Sequence, residues 1–475
     1  MSLRQCAPRA RSRTTLAWRR RSSRRRSTAC EPLVGDAPQI VGRIYGNLGK
    51  LLGGKAVAGA LSLAYLAIAA RALGPADFGV LVLVHTYVLT VGGIVEFPGW
   101  HAVVRYGAQA LATDDRFRLS RLLGFAAVLE LAAGALAVVT AAVLAPWLGP
   151  RLGWSDVAVD FAAPYSLAVL ASIRGTPAGY LQLTGRFDLL GAHNMVAPLV
   201  RIAGATISAF SGMGLKGFLI AWLAAALAEW VSMWALGLYA ARGQVAWGQL
   251  AAGVREAPRE NAGLWRFLLA ANADVTASEF AARATPLAVG WMLGPASAGL
   301  YAVAQRATVL LAQPAQIFGQ AAYAELARLA VTEDRGRRMR AVLAPAIGMG
   351  LGAAVLVCAV VALFGRSLAV LLAGEAFAGA AGVMLALTIG RGLLVAAPPM
   401  SAALTALGRP GLSMQANLIA GLGLLAVLPP LLRNTGLAGA GALAVAQALT
   451  AVGLLFVHLM RQTGTTPPVP GQASA

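Results

Sequence analysis

Five arginines lie inside stretches that are otherwise apolar enough to cross a membrane. They are Arg174, Arg201, Arg283, Arg306 and Arg391. An arginine at the centre of a membrane helix costs about 2.5–3.5 kcal/mol on insertion scales. A fold keeps such a residue where the guanidinium faces water, a carboxylate or a ligand, so each of the five is a candidate for the lining of a cavity.

Two of these arginines have a simpler structural explanation. Arg174 lies toward the predicted cytoplasmic end of its helix, from which its side chain can reach the interface. Arg283 follows Glu279 by four residues, so the two charges can neutralise each other on one helix face. The other three arginines have no acidic residue within a helical turn. For these three we favour a place in a cavity over a structural role.

A cavity lined by arginine is suited to an anionic ligand. The guanidinium group donates two parallel hydrogen bonds to a phosphate and stays charged at any relevant pH. Among the 39 basic residues only Lys50, Lys55 and Lys216 are lysine. We therefore predict that an anionic substrate group crosses a positively charged passage.

The seventh predicted helix carries a polar stripe. Asn272, Thr276, Glu279 and Arg283 occur at i, i+4, i+7 and i+11, which places them on one face. A face in contact with lipid cannot carry these groups, so it must look into the helix bundle or a water-filled cleft. Asp274 lies on another face of the same helix.

Two further carboxylates, Glu130 and Glu229, lie within predicted spans. Each can pair with an arginine or take up a proton. Together with Asp274 and the stripe on the seventh helix, they are candidates for coupling transport to an ion.

No pattern typical of enzyme chemistry is present in the sequence. The three cysteines, Cys6, Cys30 and Cys358, do not have the spacing of metal ligands, and the four histidines are scattered. No glycine-rich loop ends in Lys-Ser or Lys-Thr, so direct use of ATP is not expected. We predict a transporter rather than an enzyme, with no metal and no cofactor.

The composition is that of an all-α polytopic membrane protein. Of 475 residues, 58% are hydrophobic and 12% charged, against about 25% charged in soluble domains. Between residues 47 and 460, apolar stretches of about 20 residues, the length that crosses the hydrocarbon core, occur about twelve times. The predicted organisation is an Arg-rich disordered tail (1–40), a first six-helix lobe (41–241), a linker (242–263), a second six-helix lobe (264–461) and a second tail (462–475).

The basic residues predict the orientation. With the N-terminus in the cytoplasm, 29 basic residues fall on the cytoplasmic side and 5 on the other side. This is the distribution that the positive-inside rule requires, so both termini and both tails are predicted to be cytoplasmic. Because the basic residues do not share one water-facing surface, the net charge of +20 does not predict nucleic-acid binding.

An internal repeat relates the two lobes. The segment Leu73–Gly79 returns at Leu293–Gly299, and Gly185-Arg186 returns at Gly408-Arg409. In each copy of the first segment, glycine can take a left-handed conformation that ends a helix, proline prevents continuation, and Asp or Ser can cap the next helix. Six helices per lobe give both lobes the same orientation, which predicts a pseudo-two-fold axis along the membrane normal with a cleft between the lobes.

The end of the first predicted helix and the start of the second carry a family resemblance. The matching residues are Tyr65, Leu66, Ala70, Arg71, Leu73, Gly74, Pro75, Asp77, Phe78 and Gly79. This run resembles the Wzx-type oligosaccharide flippases of the multidrug/oligosaccharidyl-lipid/polysaccharide exporter (MOP) superfamily. The resemblance extends to the twelve helices, the two lobes and the Gly-Arg turn after helices 4 and 10, and it covers about residues 47–460.

The resemblance implies a function. Such proteins move an undecaprenyl-pyrophosphate-linked oligosaccharide across the bacterial inner membrane by alternating access, for the synthesis of O-antigen, capsule or exopolysaccharide. The arginines would contact the pyrophosphate or acidic sugars. The implied partners are the lipid-linked oligosaccharide, membrane lipids, and the polymerase and other proteins of polysaccharide assembly.

Two other functions stay open. A cation-coupled multidrug exporter of the same superfamily would need acidic residues in the cavity of the first lobe. Glu130 and Glu229 keep this alternative open, whereas the five embedded arginines oppose it. A membrane-embedded polysaccharide polymerase or ligase would share the substrate, but it would need a long external loop, and the sequence contains no such loop.

Overall fold

The computed structural model describes residues 37–95, 97, 99–308 and 335–464. Most of both predicted tails, and the second half of predicted helix 8 (298–320), lie outside these residues. The chain divides into two compact units, Met1–Gly49 and Lys50–Ala475. The candidate site lies in the second unit.

All regular elements of the described residues are helical. In chain order they are α1 (Ala37–Val95), α2 (Gly99–Ala112), α3 (Arg116–Leu148), α4 (Asp156–Tyr165), α5 (Gly175–Leu183), α6 (Phe187–His193), α7 (Val196–Phe210), α8 (Gly214–Ala241), α9 (Gly253–Glu260), α10 (Leu264–Leu293), α11 (295–308), α12 (Arg335–Ala373), α13 (Ala381–Leu393), α14 (Ala397–Ala406), α15 (Pro410–Gly421), α16 (Leu428–Thr435) and α17 (Leu437–Gly464). Short 3-10 segments separate several of them.

Eight segments of these residues are long and apolar enough to cross a membrane. The first, Val57–Val95, contains two predicted spans that are joined at a kink. Three predicted spans are not among the eight: α7 has only 15 residues, the polar stripe lowers the hydropathy of α10, and predicted helix 8 is described only as α11. With these three included, the helices account for the predicted number of about twelve, and the all-α membrane fold is confirmed.

Gly74 and Gly294 end their helices with backbone angles that favour glycine. Gly74 has φ 70° and ψ 177°, and Gly294 has φ 85° and ψ 170°. The positive φ agrees with the prediction, but the ψ is extended rather than left-handed helical, because the ring of the following proline disfavours helical ψ values in the residue before it. The predicted serine cap is also wrong: the hydroxyl of Ser297 donates to the carbonyl of Leu293 at 3.1 Å.

The two copies of the repeat pack against each other. A Cβ added to Gly79 would lie 1.8 Å from the carbonyl oxygen of Pro295, and one added to Gly299 would lie 2.4 Å from that of Pro75. Only glycine allows this backbone approach. Beside it, the Phe78 ring meets the Phe377 ring edge to face at 5.8 Å. The first helices of the two lobes therefore meet at these turns.

The second pair of repeated turns has the same hydrogen bonds in both lobes. Gly185 and Gly408 have φ 71° and 75°. In the first turn the N–H of Arg186 donates to Leu181 at 2.8 Å, and in the second the N–H of Arg409 donates to Leu404 at 2.9 Å. These are matching helix C-terminal turns of the kind that glycine closes. The internal repeat predicted from the sequence is thus present in the backbone.

Two short helices occur where the sequence analysis predicted loops. α2 follows α1 and buries Ala102, Tyr106 and Ala110 at a spacing of four residues. α9 lies within the predicted linker, and its Glu256 pairs with Arg121 of α3 at 3.1 Å. This part of the linker therefore packs on the first lobe.

Candidate functional site: an arginine-lined cavity

A cavity of about 710 Å³ lies among α1, α2, α5, α7, α8, α10 and α11. Four of the five predicted arginines line it: Arg174, Arg201, Arg283 and Arg306. They come from both predicted lobes and from sequence positions up to 132 apart. The volume is within the range of about 300–1,000 Å³ that is typical of small-molecule sites.

Arg391 is not placed with the other four. It is half-buried in α13, close enough to Tyr301 to act on it electrostatically. It is not among the residues that line this cavity.

Arg201 is held in the cavity wall by aromatic and neutral groups. Its Nη1 donates to the hydroxyl of Tyr65 at 3.0 Å, and its Nη2 contacts Nε2 of His85 at 3.3 Å. The guanidinium also lies over the rings of Tyr65 and Trp222, 5.4 and 5.1 Å from their centroids. Its buried Nε–H has no hydrogen-bond partner among the described residues. Within the described part of the chain, no carboxylate forms a salt bridge with Arg201.

His85 connects Arg201 to the core of the first lobe. Its Nδ1 lies 2.9 Å from the hydroxyl of Tyr165, a residue with no exposed surface. The Trp222 ring packs edge-on against the imidazole at 5.1 Å. These contacts fix the ring of His85 so that Nε2 faces the guanidinium.

Arg174 has a similar histidine contact and, in addition, a carboxylate. Its Nη1 forms a salt bridge with Glu229 of α8 and lies 3.0 Å from Nε2 of His193. Nδ1 of His193 lies 3.0 Å from the hydroxyl of Ser232, which donates to the carbonyl of Glu229 at 3.0 Å. The charge of this arginine is therefore balanced within the wall.

Glu130 binds backbone groups instead of lining the cavity. The span predicted over 158–181 is present as Asp156–Leu183, but it is not one continuous α-helix, because a 3-10 segment (Ser166–Ser172) interrupts it and α5 starts only at Gly175. Because of the break, the N–H groups at the start of α5 have no carbonyl partner in a preceding helical turn. The Glu130 carboxylate accepts from the N–H of Gly175, and from the N–H and hydroxyl of Thr176 at 2.7 and 2.6 Å. A carboxylate at a helix N-terminus is stabilised by these donors and by the helix dipole.

The polar stripe of α10 faces α1. Arg283 pairs with Glu279 at 2.6 Å and donates to the carbonyl of Leu89 at 3.2 Å. The hydroxyl of Thr276 donates to the carbonyl of Gly93 at 3.2 Å and to Oδ1 of Asn272, one helical turn back on the same stripe, at 3.3 Å. Glu279 and Arg283 also line the cavity. The side chain of Asp274 lies outside the described residues.

The charge of the cavity wall is unevenly balanced. Arg174 is neutralised by Glu229, and Arg283 by Glu279. Arg201 and Arg306 line the same cavity without a salt bridge to any described carboxylate. The described side chains thus leave two positive charges uncompensated, both close to His85.

The sequence analysis missed Tyr65, His85 and His193 as members of the site. Histidines scattered along the chain suggested no shared site, because their partners are far away in sequence. One signal was available: a histidine inside an apolar span is costly for the same reason as an arginine. Applied to His85 and His193, that argument identifies both.

Comparison with known proteins shows the family of this chain. The profile of the family described as "Polysaccharide biosynthesis protein" matches residues 68–381. The inner membrane protein YghQ of Escherichia coli strain K12 is 29% identical over 275 residues, which cover 58% of this chain and 77% of that protein.

Solved structures with the same fold are transporters. An inward-facing multidrug resistance MATE family transporter of the MOP superfamily has a TM-score of 0.66 at 16% identity, covering 85% of this chain and 93% of that one. A MOP superfamily transporter of Pyrococcus furiosus has a TM-score of 0.58 at 15% identity, covering 90% and 95%. The fold is thus that of the MOP superfamily membrane transporters. The chain belongs to the polysaccharide biosynthesis protein family, so the resemblance predicted from the sequence is confirmed.

Proposed function

We propose that the protein is a flippase for a lipid-linked anionic oligosaccharide of the undecaprenyl-pyrophosphate type. It moves this substrate across the bacterial inner membrane by alternating access, with both termini in the cytoplasm. Membrane lipids, a polymerase and other polysaccharide-assembly proteins are its partners. Membership of the polysaccharide biosynthesis family and a transporter fold support the proposal.

The observation that carries the proposal is the uncompensated charge of Arg201 and Arg306. A guanidinium within the membrane without a carboxylate is unfavourable unless something else satisfies it. The buried, unpaired Nε–H of Arg201 is a donor that no group of the described residues uses. A pyrophosphate diester carries two negative charges, which equal the two positive charges left in the wall. The charge balance therefore favours a pyrophosphate headgroup as the missing partner.

The predicted orientation supports a cytoplasmic binding state. With the basic loops in the cytoplasm, the contact between Gly79 and Gly299 lies toward the outer surface. The cavity lies on the cytoplasmic side of that contact. A headgroup made in the cytoplasm would enter it from the inner leaflet, while its lipid tail stays in the bilayer.

The multidrug exporter is the second candidate, because transporters of that kind share the fold. An exporter of cationic drugs needs a carboxylate that is free to bind a cation. Glu229 and Glu279 are paired with arginines, and Glu130 is occupied by the backbone of α5. The described carboxylates around the cavity therefore favour an anionic substrate over a cationic drug.

The test replaces single arginines and measures export of surface glycan in a strain that depends on this protein. Arg201→Gln and Arg306→Gln each remove one uncompensated charge and keep a polar side chain. Because a hydrogen bond to a charged group contributes about 1.5–3 kcal/mol, we expect export to fall by about tenfold or more at equal protein level.

Arg391→Gln is the matched control, since it makes the same change inside the membrane but outside the cavity. Export at the wild-type rate from both cavity variants would contradict the proposal. Equal losses from all three variants would show that the cavity is not the feature that matters.

A further inference from the structure

The contact between Arg201 and His85 fixes the protonation state of the histidine. A guanidinium has only N–H donors, so Nε2 of His85 must accept from Nη2 of Arg201. The single ring proton then lies on Nδ1, where it is donated to the hydroxyl of Tyr165. With Arg201 in this position, His85 is neutral.

A charged His85 and this hydrogen bond exclude each other. An imidazolium carries N–H groups on both nitrogens, and the one on Nε2 would point at the N–H of the guanidinium. Three guanidiniums act on His85 from other helices, Arg201 on α7, Arg283 on α10 and Arg306 on α11, and of these only Arg283 is paired with a described carboxylate, Glu279. The other titratable groups near it are Tyr65 on α1 and Tyr165 on α4. No described carboxylate contacts the ring.

An anionic ligand would change both features that keep His85 neutral, the hydrogen bond from Arg201 and the surrounding positive charge. A phosphate binds arginine through two parallel hydrogen bonds, which takes Nη2 away from Nε2 and frees its lone pair. The negative charge of the ligand also offsets Arg201 and Arg306, the two guanidiniums near His85 that no described carboxylate balances. From this geometry we infer that binding of the anionic headgroup at Arg201 is accompanied by uptake of one proton at Nε2 of His85. The inference rests on the proposed function and names the ion that moves with the substrate charge.

The pair formed by Arg174 and His193 supplies an internal contrast. The same donor-to-Nε2 contact is present at 3.0 Å, but Glu229 holds the guanidinium in place. An anion attracts Arg174 less strongly, because Glu229 already balances the charge of this arginine. His193 is therefore expected to stay neutral when ligand binds, and proton uptake is specific to His85.

Proton uptake can be measured directly on the purified full-length protein. The probe is farnesyl-pyrophosphoryl-N-acetylglucosamine, whose phosphates are diesters and do not titrate near neutral pH. Calorimetric titrations in buffers of different ionisation enthalpy give the protons taken up per ligand bound. We expect a value approaching one within the window of about pH 5–8 in which histidine titrates. Because the complex binds more protons than the free protein, affinity falls as pH rises, by at most about tenfold per pH unit.

Two matched variants assign the proton. His85→Gln keeps an oxygen that can accept from Arg201 but cannot be protonated, so uptake per bound ligand should fall to zero whatever the affinity. His193→Gln should leave the uptake per bound ligand unchanged. Spectra of the wild-type protein with ¹⁵N-labelled histidine give a second measurement that needs no variant: one ring should change from the neutral Nδ1–H form to imidazolium when the probe binds.

The outcomes separate this inference from the proposed function. Binding of the probe without proton uptake in the wild type, or with undiminished uptake in His85→Gln, overturns the role of His85 and leaves the flippase proposal standing. Failure of the wild type to bind the probe overturns the proposed function, and the inference with it.

Discussion

Two arginine–histidine pairs in one cavity wall have almost the same geometry and different surroundings. In both, the guanidinium faces Nε2, at 3.3 Å in the Arg201–His85 pair and 3.0 Å in the Arg174–His193 pair. In both, Nδ1 meets a hydroxyl group. Of the two arginines, Arg174 alone contacts a carboxylate of the described residues, Glu229. Around Arg201 the neighbours are the aromatic rings of Tyr65 and Trp222.

This difference shows how one residue type can be structural at one place and available to a ligand at another. A guanidinium paired with a carboxylate has its charge offset and its donors occupied. A guanidinium over aromatic rings is attracted to their faces by about 0.5–2 kcal/mol but keeps its full charge. We therefore expect the carboxylate, and not the arginine, to decide which side of the cavity can bind an anion.

The largest expected effect is on stability, and it comes from replacing Glu130. Glu130 satisfies the donors of Gly175 and Thr176, directly after Arg174. Glu130→Ala leaves these buried donors without an acceptor, at about 1–3 kcal/mol for each. We expect a clearly lower thermal unfolding temperature in detergent. Glu130→Gln, which retains one carbonyl oxygen, should lose less, and an unchanged unfolding temperature in Glu130→Ala would show that these contacts do not stabilise the broken helix.

A second variant gives Arg201 the carboxylate it lacks. Ala197 lines the cavity one turn before Arg201 on α7, so Ala197→Glu places a Glu–Arg pair at i, i+4. The new pair should make Arg201 resemble Arg174, and we expect binding of the pyrophosphate probe to weaken by about tenfold or more. Ala197→Gln has nearly the same size without the charge and serves as the control. If both variants bind the probe equally well, the free charge of Arg201 is not what the anion recognises.

The sequence was sufficient to predict features that repeat along the chain or that lie within a single helix. Hydropathy located the spans, the recurrence of Gly74 and Pro75 at Gly294 and Pro295 revealed the two related lobes, and the spacing of four residues joined Glu279 to Arg283. Each of these patterns lies within one helix or is copied along the chain. Local periodicity contains such information directly.

The part of the site that the sequence analysis did not predict depends on contacts between residues that are far apart in the sequence. Arg201 meets Tyr65 and His85 across 136 and 116 positions, and no local pattern links them. The break before Gly175 was also invisible, because a 3-10 segment can be as apolar as the α-helix it interrupts. Without that break, Glu130 looked like a free carboxylate, although the backbone of α5 occupies it.

The smallest expected effect comes from removing the charge that balances Arg174. Glu229→Gln leaves a neutral acceptor beside the guanidinium and makes this pair resemble Arg201–His85. The side chains of Arg174 and Glu229 are 35% and 20% exposed, so water screens part of the loss, and we expect a destabilisation of about 1 kcal/mol. A ligand that binds only the folded state raises its stability with concentration. The probe should therefore stabilise Glu229→Gln against thermal unfolding more than it stabilises the wild type, because a third uncompensated guanidinium has become available. If the probe stabilises both proteins equally, Arg174 lies beyond its reach, and the anion is confined to the end of the cavity that Arg201 and Arg306 form.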